Sequence, residues 1–193
     1  MNETTNRRGR LQLVLLAAVF LGPLAVAAWL YYSPAQWAPD GRTNNGMLLQ
    51  PVIVLPEVAL ADGSGGETAP GALRGRWSLT YLARSDCAET CRSALNTIRQ
   101  IRLGSGKEAL RIQRVLLSDS ALPEAAWLAA EQAGLIVARP GSDASFSAAV
   151  AELDEGIYLV DPLGNLMMAY PADAAPKPVY ADLKKLLKNS RIG

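Results

Sequence analysis

Residues 11–32 read LQLVLLAAVFLGPLAVAAWLYY, twenty-two positions with one amide and no charge. A helix that is apolar all round has no polar face to offer water, so this run must be buried inside a large core or in a bilayer. Rising about 1.5 Å per residue, it extends roughly 33 Å, enough to cross a hydrocarbon core of about 30 Å. Arg7, Arg8 and Arg10 precede it, and Trp29, Tyr31, Tyr32 and Trp37 mark its far end. The basic flank is expected to stay cytoplasmic with the aromatics at the opposite interface, which exports everything that follows. Pro23 is tolerable inside a span and is expected to kink it. Ala25-Val26-Ala27 has the small-x-small character of a signal-peptide cleavage site, so a cleaved leader is the alternative to a retained anchor. Because the apolar run continues past that site into an aromatic belt, the anchor is favoured. Arg7-Arg8 is not followed by a recognisable twin-arginine signal.

Composition narrows the chemistry of the exported part. The chain has 193 residues, 19 basic and 18 acidic side chains and no histidine. A net charge of +1 gives no general attraction to nucleic acid, and no nucleic-acid partner is expected. Without an imidazole, Ser-His-Asp and Cys-His nucleophile pairs, histidine-ligated zinc and H-E-x-x-H metalloprotease chemistry are excluded.

The organisation reads as a cytoplasmic N-terminus over 1–10, a transmembrane anchor over 11–32, a tether over 33–50 and one domain over 51–193. SPAQWAPDGRTNNG has the Pro, Asn and Gly content of a linker. PVIVLPEVAL has strand composition, but Pro51 and Pro56 cannot donate to a ladder, so an edge hairpin or irregular arm is expected. Gly63 to Gly66 reads as a loop. Gly106-Lys107 fails as a phosphate-binding motif, because Glu108 stands where Ser or Thr is required and Ile101 where the first glycine should be.

Strands are expected at Trp77–Ala83, Leu110–Leu117, Gly156–Val160 and Leu166–Tyr170, with helices at Cys87–Leu103, Leu122–Gly134 and Val179–Lys188. Ser85 or Asp86 is expected to cap the first helix. Asp161-Pro162-Leu163-Gly164-Asn165 reads as the hairpin turn between strands three and four. The last helix carries Leu183, Leu186 and Leu187 inward and Lys184, Lys185 and Lys188 outward. Strand, helix, strand, helix, strand, strand, helix is an α/β sandwich of thioredoxin type, a central mixed sheet flanked by helices behind one transmembrane helix.

Cys87 and Cys91, the only cysteines, stand where the first strand passes into the first helix. On an ideal helix, positions four apart have Cα atoms about 6.2 Å apart, inside the 4.4–6.8 Å open to a disulfide. Closing so short a loop contributes roughly 2 kcal/mol, little for a domain with its own core, so a redox or metal role is favoured over a staple. The helix dipole favours a thiolate at Cys87, whereas Asp86 and Glu89 oppose it and Arg84 and Arg92 offset them in part. Cys87 is the expected attacking sulfur and Cys91 the resolving one, at an accessible corner of the domain.

The segments LADG, GRWSLTYLARSDCAETC, SDSALPEAAWLAA and YLVDPLGNL together resemble the Sco (SenC) family, over roughly Leu55 to Leu187. The C-x-x-x-C position after the first strand is the most specific element. The resemblance implies a membrane-tethered, thioredoxin-like factor on the periplasmic side of a bacterial inner membrane, assisting assembly of the copper centre of cytochrome c oxidase. It implies copper as cofactor and, as partner, an oxidase subunit or copper chaperone with a cysteine pair. This chain departs from the family's pattern in two places. Ala88 and Arg92 replace the proline after each cysteine, and Glu152-Leu153-Asp154-Glu155 stands where the family has its copper-ligating histidine. What remains for Cu(I) is Cys87 and Cys91, with a thioether from Met167 or Met168 as a third donor; those methionines read first as strand or core residues.

Three functions follow as alternatives. The first is thiol–disulfide exchange in oxidase maturation through Cys87 and Cys91. The second is a non-catalytic assembly or docking protein with a permanent bridge. The third is a general periplasmic thiol reductase, disfavoured because the C-x-x-C spacing and a proline before the third strand are both missing.

Overall fold

The computed structural model describes residues 3–32 and 44–192, so most of the expected tether, including Trp37, lies outside the described residues. The chain divides into two compact units, Met1–Arg42 and Thr43–Gly193. In the first, helix α1 runs Glu3–Tyr32 with Pro23 inside it. Its stretch Gln12–Tyr32 has a mean hydropathy of 2.5 and no buried residues, and is long and apolar enough to cross a membrane.

In the second unit, the order is β1 (Met47–Val54), β2 (Trp77–Ala83), α2 (Glu89–Gly104), β3 (Ile112–Ser118), α3 (Ala125–Glu131), β4 (Leu135–Ala138), α4 (Ala144–Val150), β5 (Gly156–Val160), β6 (Asn165–Pro171) and α5 (Pro176–Asn189). The six strands form one mixed sheet in the order β1-β6-β5-β2-β3-β4. β2, β3 and β4 run parallel, whereas β5, β6 and β1 join antiparallel. The central strands β2, β3 and β5 are buried along their whole length, as expected for a sheet covered on both faces.

Period-two alternation splits the core in two. Leu79, Tyr81, Ile112, Leu116, Ile157 and Leu159 face α2 and α5, together with both cysteines. Leu82, Val115, Leu117, Tyr158 and Val160 face the opposite side, where Phe146 and Val150 of α4 and the arm residues Leu55 and Leu60 cover them. The Asp161 turn is a hairpin as read. Its carboxylate accepts from the amides of Leu163 and Asn165 and from the Asn165 side chain, and Gly164 takes φ +87°. Only glycine adopts that conformation without strain.

Five readings of the sequence are corrected. β1 starts at Met47, inside the stretch expected as tether, and lies at the sheet edge against β6, its register broken between Leu48 and Ile53 around the cis Gln50–Pro51 bond. The first domain helix begins at Glu89, not Cys87, and its N-cap is Ala88 with no side-chain bond. Ser85 and Asp86 do not cap it, because Ser85 donates to Glu155 and Asp86 accepts from the Ala121 amide. The second helix shrinks from 122–134 to Ala125–Glu131, and at its C-terminal end the buried Arg114 takes the carbonyls of Gln132 and Ala133. β4 and α4 were not anticipated: β4 is three half-buried residues and the buried Ala138, without alternation, and α4 shows only the pair Phe146 and Val150 inward. The readable signal for α4 was Asp143, which caps it by accepting from Phe146 N at 2.9 Å.

Candidate functional site

β2 delivers the chain to the sheet's C-terminal edge, and the five residues between its end and α2 hold Cys87. Cys87 and Cys91 are joined by a disulfide with Cα atoms 5.0 Å apart. This is closer than the helical spacing predicts, because Cys87 lies outside the helix. The Cys87 amide donates to Ala121 O at 3.0 Å, and Asp86 Oδ1 accepts from Ala121 N at 3.1 Å. This reciprocal clasp binds the cysteine loop to the loop after β3.

The expectation of an accessible corner is corrected. Cys87 is 8% exposed and Cys91 2%, and both belong to the apolar core beneath α2. The clasp to Ala121 draws Cys87 inward, and Leu122 and Trp127 pack against the same core. The residual opening is on the Cys87 side, where Ala88, Glu89 and Thr90 are exposed. The first amides of α2 have no intrahelical acceptor, and Ala88 supplies no side chain to take them.

The two arginines expected to offset the local acids are engaged elsewhere. Arg84 donates to the carbonyls of Val150, Ala151 and Leu153 at the end of α4. Arg92 pairs with Glu124 and lies 5.1 Å over the Trp127 ring. Neither is committed to the sulfurs.

Glu155, which the sequence singled out only as part of the stretch replacing a histidine, is the organiser of this corner. It accepts from Tyr81 Oη at 2.7 Å, Arg84 N at 3.0 Å and Ser85 Oγ at 3.1 Å. Partial burial pushes its carboxyl up, but these three donors outweigh that and hold it below the ordinary glutamate value of 4.5. Burial first, then the facing carboxylate, pushes the Tyr81 phenol well above its usual range. A depressed folded-state pKa means that the stabilisation is fully present above pH 4.5 and is lost as pH falls through the lowered value. In denaturant titrations across the acid range, the wild type is expected to lose stability below pH 4.5 more steeply than Glu155→Gln. At neutral pH the variant is expected to cost about 1 kcal/mol, small because the carboxylate is partly solvated.

The donor set does not fit the family's copper site. Glu155 is held by Tyr81, Arg84 and Ser85. Met168 pairs with Leu159, which faces Leu79 in the middle of β2, so the sheet register keeps it away from the cysteines that follow the strand's end. Met168 is a core residue and Met167 packs partly buried against the same core. Among the described residues no group of three or more His, Cys, Asp or Glu side chains could hold a metal ion.

Residues 77–190 match the family described as transmembrane-like, thioredoxin-like, C-terminal domain, and residues 4–33 match transmembrane-like, N-terminal domain. No curated protein matches the chain by sequence. Among solved structures, it is similar to apo Sco1 of Thermus thermophilus, with 17% identity and a TM-score of 0.55 over 73% of this chain and 95% of that one. It is similar to copper-bound ScoI of Bradyrhizobium japonicum, with 21% identity and a TM-score of 0.50 over 69% and 98%. A thiol:disulfide interchange protein from Bacteroides sp. aligns with 11% identity and a TM-score of 0.51 over 72% and 91%. At such identities the likeness establishes the thioredoxin-like fold. Since one match takes in most of the folded unit and the other falls on the apolar helix, the chain belongs to the family of transmembrane-like, thioredoxin-like proteins.

Proposed function

We propose that this protein is a single-pass, membrane-anchored thiol–disulfide exchange factor whose folded domain works outside the cytoplasm, on the periplasmic side of a bacterial inner membrane. The observation that carries the reading is the Cys87–Cys91 bond at the β2–α2 junction, with its residual opening on the Cys87 side. In the reduced form, the Cys87 thiolate attacks a partner disulfide and expels one partner thiolate. Cys91, losing its proton, then attacks Cys87 Sγ and releases the second partner thiolate. Two electrons pass to the partner, which leaves as a dithiol, and the chain is left with the bond it carries here. A dithiol reductant is needed to restore it.

The partner class we favour is a protein with a copper-binding cysteine pair, such as a cytochrome c oxidase subunit or a copper chaperone, with this chain keeping that pair reduced for metal. The Sco structures among its fold neighbours, two of them copper-bound, support that choice. Since the donor set does not complete a family-type copper site, the chain acts on the partner's sulfurs and does not itself carry the metal.

One observation favours a second reading, a non-catalytic docking protein with a permanent bridge: both sulfurs are buried. The test is a thiol–disulfide equilibrium titration of the full chain in detergent micelles. Exchange predicts reversible reduction with a potential above about −300 mV, whereas a bridge resisting reduction below that value identifies a staple.

A further inference from the structure

Three buried polar side-chain atoms find no hydrogen-bond partner among the described residues: Trp77 Nε1, Thr80 Oγ1 and Ser118 Oγ. A buried hydroxyl without a partner is a standing cost that native folds avoid, so each calls for a reason. Strand register separates the three. Trp77 opens β2, at the end of the strand remote from the cysteines. Thr80 pairs with Val115 and Tyr158, whose side chains belong to the core on the opposite face of the sheet.

Ser118 is different. It closes β3 beside Ala83, the last residue of β2, and is fully buried. Lying two positions after Leu116, it shares that residue's face, the one whose core holds Ala83, Leu116 and both cysteines. α2 returns the chain from the end of β2 to the start of the parallel β3, so its first turn, with Cys91, stands over the strand ends where Ala83 and Ser118 lie. Three residues beyond Ser118, Ala121 accepts from the Cys87 amide. The unpaired hydroxyl is thus on the cysteine face, at the cysteine end of the sheet, where Ala83 offers only a methyl group.

The charged and titratable groups on the surrounding elements are engaged or exposed. Tyr81 and Glu155 hold each other, Asp86 accepts from Ala121 N, and Asp119 accepts from Gly141 N. Arg92 pairs with Glu124, and Arg114 of β3 donates to Gln132 and Ala133. On α5 the buried Asp182 is taken by Tyr170 and Gly46, while Glu89 in the first turn of α2 is exposed.

We infer that Ser118 Oγ is the hydrogen-bond donor kept for the Cys91 thiolate of the reduced pair, an assignment that rests on the exchange reading of Cys87 and Cys91. In the resolving step the Cys91 proton passes to the partner thiolate freed by the first attack. Cys91 Sγ then bonds to Cys87 Sγ and expels the second partner thiolate. Between those events a charged sulfur stands in an apolar core, which burial disfavours and a hydroxyl donor on the same face relieves. With the bridge closed, neither sulfur carries charge and the hydroxyl is idle.

Full-length single-cysteine chains in detergent micelles test this, through the ultraviolet absorbance of the thiolate measured against the cysteine-free chain, which cancels the tyrosines. In Cys87→Ser, adding Ser118→Ala is expected to raise the pKa of Cys91 by about one unit, a tenfold loss of thiolate at a given pH. In Cys91→Ser, the same change is expected to leave Cys87 unmoved. With both cysteines present, Ser118→Ala is expected to leave the oxidised form melting no lower than the wild type, since alanine removes a hydroxyl that has no partner there. A Cys91 pKa that does not move, or that moves together with that of Cys87, overturns the assignment. So does an oxidised form that melts well below the wild type, which would mean that the hydroxyl is bonded whatever the state of the bridge. None of these measurements needs a partner or a reducible bond. Reversible exchange with an unmoved Cys91 therefore removes the role of Ser118 alone, whereas a shifted Cys91 in a chain whose bridge resists reduction removes the exchange reading alone.

Discussion

Replacing Asp182 by alanine is expected to destabilise the folded domain by about 3–5 kcal/mol, the range for stripping a buried charge of its role. For a domain of this size that lowers the melting temperature by roughly 10–15 °C. Asp182 is 2% exposed. Its Oδ2 accepts from the amides of Asn45 and Gly46 at 2.6 and 2.9 Å and from Tyr170 Oη at 3.0 Å, and its Oδ1 accepts from the Asn45 side chain at 3.0 Å. Lys185 adds an ion pair at 3.7 Å. Alanine would leave the buried Gly46 amide and Tyr170 hydroxyl without their acceptor, and each unmet buried group costs about 1–3 kcal/mol. Asparagine can present one oxygen to the three donors around Oδ2, and Asn45 can turn its amide to meet the new NH2, so Asp182→Asn is expected to cost only about 1–2 kcal/mol. Thermal unfolding of both variants, read by near-ultraviolet circular dichroism, checks the order. An alanine variant as stable as the asparagine one would show that the carboxylate is not what holds the domain's entry segment to α5.

The same carboxylate shows where reading the sequence falls short. Hydropathy and period place Leu183 and Leu187 on the buried face of α5, and there they are. Asp182 lies on that face too, and an acid among apolar positions is the available signal. What it binds, however, comes from residues 136 and 137 positions earlier in the chain, which no local pattern encodes. Arg114 is a second case. Sitting in an otherwise apolar strand, it is buried, donates to Gln132 and Ala133, and burial followed by the nearby Arg102 and Arg99 lowers its pKa to about 10. It meets the chain where α3 ends, and again its partners lie beyond the strand. Elements with strong periodicity or turn chemistry, β2, β5, β6, α5 and the Asp161 hairpin, were legible because each carries its own signal. β4 was not, since four residues hold too few repeats to show a period.

The cysteine corner divides along the same line. The pair, its place after β2 and its capacity to bond were readable from spacing alone. The clasp through Ala121 and the role of Glu155 were not, because both depend on loops that only the folded sheet brings together. Exposure separates the two sulfurs, since Cys87 borders the exposed Ala88, Glu89 and Thr90 while Cys91 lies beneath α2.

Cys91→Ser is therefore expected to leave a Cys87 thiol that forms a stable mixed disulfide with a small aromatic disulfide, whereas Cys87→Ser leaves a thiol that reacts on the order of a hundredfold more slowly. A sulfur reached only through local opening reacts in proportion to the open population, and an opening cost of about 2–3 kcal/mol gives that factor. Rates measured on the native full chain, against the same variants in denaturant, remove any intrinsic difference between the thiols. The variants are interpretable because the bridge itself contributes only roughly 2 kcal/mol through its short loop, less than expected for Asp182, so the fold survives its loss. Equal native rates would remove the assignment of Cys87 as the entering sulfur. Two unreactive thiols would turn the bridge into a staple, and that outcome carries a difficulty of its own. Stability alone does not account for placing the only two cysteines of the chain where β2 meets α2, when Asp182 by itself is expected to contribute more than the bridge.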